Sequence, residues 1–231
     1  PKSVNILTNK NKFYIHSLEG YTTSVYSSEN FTKIKDIKHE FGKENQYLFD
    51  KDDLVNYTFR TKKSDLNYFK GKPVEGCFSH EGKYLWVTYY RRSYDSNAID
   101  PSAVCIIDTD TDSIIKVLPT GALPKMISCS PDNKIIAITH WGDNTVFLVD
   151  ISSDNPSNFK LKTSVVIDYK PKLNFKAGEK VNRDQKCNNC LRRTVFSSDN
   201  KYILIGKMGK SSIAVINSDS GKYIGSVSGM R

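Results

Sequence analysis

The chain has 231 residues, a formal net charge of +9, 38% hydrophobic residues and 26% charged residues. This composition suffices for a packed core, and the absence of any apolar run of 18 residues excludes a membrane-spanning helix. The positive charge is concentrated, because residues 169–210 contain eleven Lys and Arg against three Asp and Glu. A cluster of this kind is either a solvated surface or a patch for an acidic partner.

Residues 1–40 contain four short segments in which apolar and polar residues alternate: VNILTN, KFYIHSL, TTSVYSS and TKIKDIKHEF. Alternation at period two predicts β-strands, because successive side chains of a strand point to opposite faces. We therefore predict a degenerate four-stranded unit over residues 1–40. Residues 41–72 are predicted to be an insertion loop.

Three later segments align with one another without gaps: PVEGCFSHEGKYLWVTYY (73–90), PKMISCSPDNKIIAITHW (124–141) and LRRTVFSSDNKYILIGKM (191–208). Each has an alternating apolar run, a Ser, a turn of type H-E-G, P-D-N or S-D-N, a Lys and a second strand-like run. Asp, Asn and Gly favour the backbone angles of a tight hairpin, and Ser can bond to the turn amides. A third strand follows each segment (AVCIIDTDTD, TVFLVDISSD or SIAVINSDSG), and then a fourth (SIIKVLPTG, TSVVIDY or KYIGSVSG).

Four short antiparallel strands repeated along a chain predict an all-β fold, the β-propeller, in which each unit is one blade. After the first unit and the insertion, the second blade is predicted at 73–120 and the third at 121–168. A basic insertion loop is predicted at 169–189. Residues 190–231 are predicted to form the fourth blade and the start of the next.

The repeat resembles the YVTN-type β-propeller repeat, in which G-x-x-P is followed by Ser, P-D-N/G-K, a β run, V-I-D-T and V-x-x-G. GALPKMISCSPDNKIIAITHWGDNTVFLVDI, residues 121–151, matches this pattern best. The resemblance covers residues 73–231 well and residues 1–40 weakly. It implies the fold of surface-layer, lactonase-like and quinoprotein-like propellers, a fold that carries many functions.

The resemblance also implies a ring of seven blades, whereas this chain supplies about four. An open arc would leave two exposed sheet edges, which promote unwanted pairing. We therefore expect the chain to be part of a larger ring, or a second chain or copy to complete the ring. A closed ring of four blades is the alternative.

In such a blade, the turn between the second and third strands emerges on the same face as the connection to the next blade. We call this the connection face. The long insertions at 41–72, 89–102 and 170–189 belong to it, whereas the opposite face has short turns apart from SSDNPSNFKLK. Long loops on a rigid scaffold commonly bind ligands. The predicted binding rim on this face consists of aromatic and charged residues that the alignment brings together: Tyr89, Tyr90, Arg91, Arg92, Tyr94, Lys125, His140, Trp141, Asp143, Arg192, Arg193, Lys207 and Lys210.

Cys187 and Cys190 form a Cys-x-x-Cys pair in a polar loop, whereas the other three cysteines lie in apolar runs. Two thiolates at this spacing can reach one zinc ion, but no second ligand pair is evident among the four scattered histidines. Leu191 stands where a c-type haem would need His, and the pair precedes a strand, not an activating helix. A local disulfide that braces the loop is favoured, with reduced, inert thiols as the alternative.

No nucleophile elbow, phosphate-binding glycine loop, Ser/His/Asp constellation or EF-hand occurs, so neither a cofactor nor a metal is expected. We expect a non-catalytic binding or scaffold module whose basic, aromatic face takes an acidic protein, a glycan or another anionic partner. One alternative is half of a lactonase-like or quinoprotein-like enzyme, for which His140 and Asp143 are the only candidate catalytic residues near the channel mouth. The other alternative is a structural surface-layer module. Nucleic acid is not expected, since no RNA-binding aromatic signature is present.

The first residues, PKSVNILTNKNK, lack the apolar stretch of a signal peptide. Either the protein is cytosolic or a leader was removed before this numbering begins. Because a disulfide favours an oxidising compartment, we expect the periplasm or cell surface, and the cytoplasm stays open.

Overall fold

The structure is a computed structural model and describes residues 1–49, 67–171 and 181–229. The predicted insertion at 41–72 and the basic loop at 169–189 therefore lie partly outside the described residues. Within the described ranges the helices are short 3-10 turns at Thr8–Lys10, Lys43–Leu48, His80–Gly82, Pro156–Asn158 and Met208–Lys210. None of them is long and apolar enough to span a membrane.

The strands form four antiparallel sheets in chain order, which confirms the prediction of four-stranded blades. Blade one contains β1 (Ser3–Leu7), β2 (Lys12–Ser17), β3 (Thr22–Ser27) and β4 (Lys33–Lys38). Blade two contains β5 (Glu40–Phe41), β6 (Phe69–Ser79), β7 (Tyr84–Arg92), β8 (Ala103–Asp108) and β9 (Ser113–Pro119). Blade three contains β10 (Pro124–Cys129), β11 (Ile135–His140), β12 (Thr145–Asp150) and β13 (Lys160–Val166). Blade four contains β14 (Leu191–Phe196), β15 (Tyr202–Lys207), β16 (Ser212–Asn217) and β17 (Tyr223–Ser228).

Blade two departs from the simple pattern, because its inner strand is longer and carries an additional partner. The strand β6 begins at Phe69, inside the predicted insertion, and the two-residue strand β5 pairs with its first residues. The chain leaving blade one therefore joins the sheet of blade two before the insertion begins. Aromatic rings stabilise this junction, with Phe41 and Phe69 centroids 5.1 Å apart.

The repeated Ser-x-Asp-Asn turn holds the first hairpin of blades three and four. In blade three, Ser130 Oγ lies 2.6 Å from Asp132 Oδ1 and accepts the amide of Ile135 at 2.9 Å. In blade four, Ser197 accepts the amide of Tyr202 at the same distance. Asn133 and Asn200 adopt positive φ angles of 57° and 60°, a conformation that Asn tolerates better than most residues. The Ser, Asp and Asn of the repeat motif are therefore the residues that shape this turn.

The same turns link each blade to its neighbour. Asn133 Oδ1 accepts the amide of His80 in blade two at 2.8 Å, and Asn200 Oδ1 accepts the amide of Asp132 in blade three at 3.2 Å. Asn9 of blade one donates to the carbonyl of Glu81 at 2.8 Å. Consecutive hairpins are thus held in register at the face opposite the connection face.

The apolar core is divided into layers, one between each pair of consecutive blades. Tyr14 and Val25 of blade one pack with Leu85 and Val87 of blade two. Trp86 belongs to the layer shared with blade three, and Ala137 of blade three to the layer shared with blade four. No core cluster among the described residues joins blade four to blade one. The sheets of blades two and three therefore each bury their two faces against different neighbours.

A chain of buried polar groups runs between blades one and two. His16 Nδ1 lies 2.8 Å from Thr23 Oγ1, which lies 2.7 Å from His39 Nε2. The other nitrogen of His39 lies 2.9 Å from the hydroxyl of Tyr89. Burial lowers the pKa of His16 to about 4, and burial together with His16 lowers the pKa of His39 to about 3. Both rings are therefore neutral members of the core at neutral pH.

We predict that stability falls steeply between about pH 6.5, the ordinary histidine pKa, and pH 4. The unfolded chain binds protons on these histidines in that range while the folded chain does not, so acid favours unfolding. Each histidine costs roughly 1.4 kcal/mol per pH unit below 6.5, and no cost arises above that value. The measurement is urea unfolding at pH 8.0, 6.5 and 5.0, with His39→Gln expected to show a shallower acid loss. An equal slope in that variant would contradict the assignment, and His16→Gln repeats the test if His39→Gln does not fold.

Candidate ligand-binding site on the connection face

A cavity of about 300 Å³ lies where the inner strands of the four blades begin. We call it the mouth cavity. Its lining combines residues from every blade and from the basic loop: Lys2, Leu18, Val74, Glu75, Tyr90, Lys125, Asp184 and Arg192. Lys2 precedes β1, Glu75 lies in β6, and Lys125 and Arg192 lie at equivalent positions in β10 and β14. Residues distant in sequence meet here because each blade contributes the same end of its first strand.

Lys125 is held in an aromatic cradle at the wall of this cavity. Its Nζ lies 3.6 Å from the ring centroid of Trp141 and 5.2 Å from that of Tyr90. It also lies 3.1 Å from Asp184 Oδ1. Burial lowers the pKa of Lys125, and the hydrogen bond to Asp184 acts in the opposite direction. The ammonium is therefore fixed in place by contacts within the protein.

Asp184 comes from the basic loop and connects that loop to two blades. Its backbone carbonyl accepts a 2.9 Å hydrogen bond from the indole of Trp141. Burial would raise the pKa of its carboxyl group, but hydrogen bonds from Tyr90 and Lys125 bring that pKa below its ordinary value. Burial and the same hydrogen bond raise the pKa of Tyr90. Asp184 is thus a carboxylate that orders the wall around Lys125.

Besides Lys125 and Asp184, the cavity contains the oppositely charged residues Glu75 and Arg192. Burial raises the pKa of Glu75, and the positive charges of Lys2 and Arg192 oppose that rise. Lys2, Arg192 and the adjacent Arg193 are all exposed, and none of them forms a salt bridge within the described residues. These three cations are available to a ligand, whereas Lys125 is already paired.

Five residues of the predicted binding rim lie below the surface with their polar groups engaged. Tyr89 and His140 are fully buried, and Arg92, Asp143 and Lys207 are nearly so. The alignment places these residues at the correct end of each blade, but it does not reveal that their side chains point between the sheets. These five residues do not line the mouth cavity, whereas Tyr90, which is also buried, lies in its wall.

His140 and Asp143 organise the turn that follows β11. His140 Nδ1 lies 2.9 Å from Thr145 Oγ1, and its Nε2 accepts the amide of Gly121 at 2.9 Å. Asp143 accepts the amide of Thr145 at 3.1 Å and that of Ala122 at 3.3 Å. Burial lowers the pKa of His140. Both side chains therefore accept hydrogen bonds from backbone amides and hold this turn in place.

Lys207 and Arg92 have similar structural roles. Lys207 Nζ lies 2.6 Å from Asp168 Oδ2 and 3.0 Å from Ser226 Oγ. Arg92 donates to the carbonyl of Ser102 at 3.1 Å, and its guanidinium lies 4.6 Å from the ring of Phe69. Lys207 is therefore held between Asp168, which follows β13 of blade three, and Ser226 of its own blade, whereas these partners of Arg92 lie in and beside blade two.

The remaining rim residues divide into cavity residues and outer residues. Tyr90, Lys125 and Arg192 line the mouth cavity, and Trp141 contacts it through Lys125. The guanidinium of Arg91 lies 5.2 Å from the ring of Tyr90, beside the cavity wall. The structure does not place the other three in the cavity lining: half-buried Tyr94 and exposed Arg193 and Lys210.

Sequence reasoning missed five residues of the cavity: the charged residues Lys2, Glu75 and Asp184, and the apolar residues Leu18 and Val74. Glu75 occupies the repeat position of Met126 and Arg193, so the alignment that identified the rim could have included it. Lys2 lies before the first strand, and Asp184 lies in a loop without repeat equivalents. Only the folded chain brings these two to the site.

Cys187 and Cys190 are joined in a disulfide next to this site. The loop they close is anchored by Asn189, whose side chain donates to the carbonyl of Ile167 at 3.2 Å and to Asp168 at 3.1 Å. Gly209 packs against the loop so closely that a Cβ atom there would lie 2.1 Å from the carbonyl oxygen of Asn188. Within the described ranges, no group of three or more His, Cys, Asp or Glu side chains could hold a metal ion.

The fold is shared with larger proteins of solved structure. Hydrazine synthase of Kuenenia stuttgartiensis superposes with a TM-score of 0.60 at 14% sequence identity, covering 96% of this chain and 47% of that one. The dihydro-heme d1 dehydrogenase NirN, solved in complex with DHE, superposes with a TM-score of 0.59 at 13% identity. That match covers 98% of this chain and 36% of NirN.

These likenesses show a β-propeller-type fold and, at such low identity, the fold alone. The chain spans less than half the length of either structure. No protein-family description matches the sequence, and no curated protein does so either.

We predict that the purified chain carries one disulfide and three free thiols. Alkylation of the denatured protein without reductant should label Cys77, Cys105 and Cys129 only, since these three are free in the structure. Reduction before alkylation should add two labels, and the unlabelled protein should gain about 2 Da on reduction. Mass spectrometry after proteolysis checks the positions. Labelling of all five cysteines without reductant would contradict the bond.

Proposed function

We propose that the chain is a non-catalytic propeller module that binds an acidic protein segment at the mouth cavity. The observation that carries this proposal is the convergence of Lys2 and Arg192 at the cavity whose wall contains Tyr90 and, through Lys125, Trp141. Arg192 presents a planar guanidinium that can take a carboxylate through two parallel hydrogen bonds. The aromatic wall offers apolar contact to the rest of the ligand.

The charges of the cavity favour a peptide over a sulfated glycan. Glu75 and Asp184 are acceptors that backbone amides of a peptide can satisfy, whereas they would repel a polymer that carries only negative charge. A ligand with carboxylates and N–H donors matches both kinds of group in the cavity. The acidic partner is therefore assigned to the protein class.

The enzyme alternative has little support from the side chains available. His140 and Asp143, the two residues suggested for a catalytic centre, are buried and hydrogen-bonded to neighbouring backbone groups. A general base must reach the proton that it removes. The two superposed structures are those of a synthase and a dehydrogenase, but the low identity transfers only their fold. We keep the resemblance to the YVTN-type repeat as part of this proposal, because residues 121–151 match the pattern of that repeat.

We also propose an extracytoplasmic location, the periplasm or cell surface. The support for this is the disulfide between Cys187 and Cys190, since such bonds persist chiefly in oxidising compartments. The bond closes residues 187–190, which follow Asp184 in the basic loop.

We predict micromolar binding of a Glu-rich peptide of about ten residues, weakened by salt because exposed charges carry much of the affinity. Isothermal titration should show at least about tenfold weaker binding for Arg192→Ala, as expected when a carboxylate loses its bidentate partner. Lys222→Ala is the matched control, because Lys222 is exposed, carries the same charge and lies on the opposite face.

The peptide control is a Gln-rich sequence of the same length. Equal affinity for the Glu and Gln peptides would overturn the proposal, as would equal weakening by Arg192→Ala and Lys222→Ala. Tighter binding of a sulfated oligosaccharide than of the Glu peptide would reassign the partner to the glycan class. Arg192→Lys should recover only part of the affinity, because an ammonium cannot reproduce the planar fork.

A further inference from the structure

Blades one and four each have one sheet face that contacts no other described blade. Large apolar side chains are exposed on both faces: Val4, Ile6 and Ile34 on blade one, and Val195, Tyr202, Leu204 and Val227 on blade four. Ile6 is 64% exposed and Leu204 is 38% exposed. Contiguous apolar patches of this kind on a soluble protein commonly mark an interface.

Strand register shows that the exposed face of blade one is the kind that packs on a preceding blade. Val4 pairs with Ile15 as Ile127 pairs with Ile138 in blade three. By this equivalence Ile6 corresponds to Cys129. Ile127 and Cys129 belong to the core layer between blades two and three. We call this the leading face of a blade.

The exposed face of blade four is of the other kind, the trailing face, which packs on a following blade. Leu204 occupies the repeat position of Trp86 and Ala137. Trp86 and Ala137 are fully buried in the core layers toward blades three and four. Val195 likewise occupies the position of Cys77, which packs into the layer between blades two and three. The four blades therefore leave one leading face and one trailing face uncovered.

We propose that a second copy of this chain docks the leading face of its blade one onto the trailing face of blade four. The contact repeats the geometry of the three interfaces inside the chain. Two such contacts, related by a two-fold axis, close two copies into one ring of blades. The pairing is independent of the peptide-binding proposal.

The area available is sufficient for a stable pair. A face of four strands about 4.8 Å apart and about five or six residues long covers roughly 350 Å² in projection. Two contacts, each covering two such faces, would remove roughly 1,400 Å² from solvent, which lies within the range of stable protein–protein interfaces. The ring would contain twice the four blades of one chain, eight in all, whereas the resemblance implies seven.

The first experiment measures the molar mass of the chain by light scattering over a range of concentrations. We expect a dimer that dissociates on dilution. The dissociation constant of the dimer should rise at least about tenfold in Ile6→Lys and in Leu204→Lys, since each substitution places a charge in an apolar contact. Val166→Lys is the matched control, because Val166 is 39% exposed on β13 of blade three, away from both faces. A monomer at every concentration would overturn the proposal, and so would a dimer insensitive to both variants. A ladder of species beyond two copies would overturn the closed ring.

A cross-linking experiment tests the direction of docking. Cys77 and Cys129 both pack into the core layer between blades two and three, and these positions correspond to Val195 and Ile6. We expect a mixture of Ile6→Cys and Val195→Cys proteins to form an intermolecular disulfide with oxidised glutathione, which takes up the two hydrogens lost by the thiols. Each variant alone is the control. Equal cross-linking of either variant with itself would overturn leading-to-trailing docking.

Discussion

The structure depends on the burial of sheet faces between consecutive blades. A four-stranded sheet with apolar residues on both faces cannot bury them by itself, and each blade supplies the surface that its neighbour needs. The core is therefore a series of layers, with Tyr14, Trp86 and Ala137 at equivalent positions in successive layers. The same constraint explains why apolar residues such as Leu204 are exposed on the faces where the series of described blades stops.

Polar groups set the alignment of these layers at both faces of the arc. At one face, the Asn side chains of the hairpin turns reach the backbone of the preceding blade, as Asn133 does to His80. At the connection face, buried polar side chains such as His140 and Asp143 hold the turns after the second strands. Within blades, the ladder hydrogen bonds are satisfied by neighbouring strands, so these few contacts decide how one blade sits on the next.

The cations of the chain serve two purposes that their positions in the repeat do not distinguish. Lys125, Lys207 and Arg192 all occur near the strand ends of the connection face. Lys207 is buried against Asp168, Lys125 is paired with Asp184 between aromatic rings, and Arg192 is exposed. Desolvation makes an unpaired buried cation costly, so the inner positions acquire carboxylate partners. The exposed Arg192 forms no salt bridge within the described residues, and this division leaves a small mixed-charge cavity.

The sequence by itself determined the fold class and the count of four blades in this chain. It could do so because strand alternation and the Ser-x-Asp-Asn turn are local properties that recur at every copy, as in residues 130–133 and 197–200. Tertiary structure alone decided which rim residues reach solvent. Tyr89 and His140 occupy aligned positions and are buried in the core. The next residues, Tyr90 and Trp141, point the other way, toward the cavity wall, because successive side chains of a strand point in opposite directions. Lys2 and Asp184 reached the site from segments outside the repeat, because long-range packing, which no local pattern encodes, brought them beside Arg192 and Lys125.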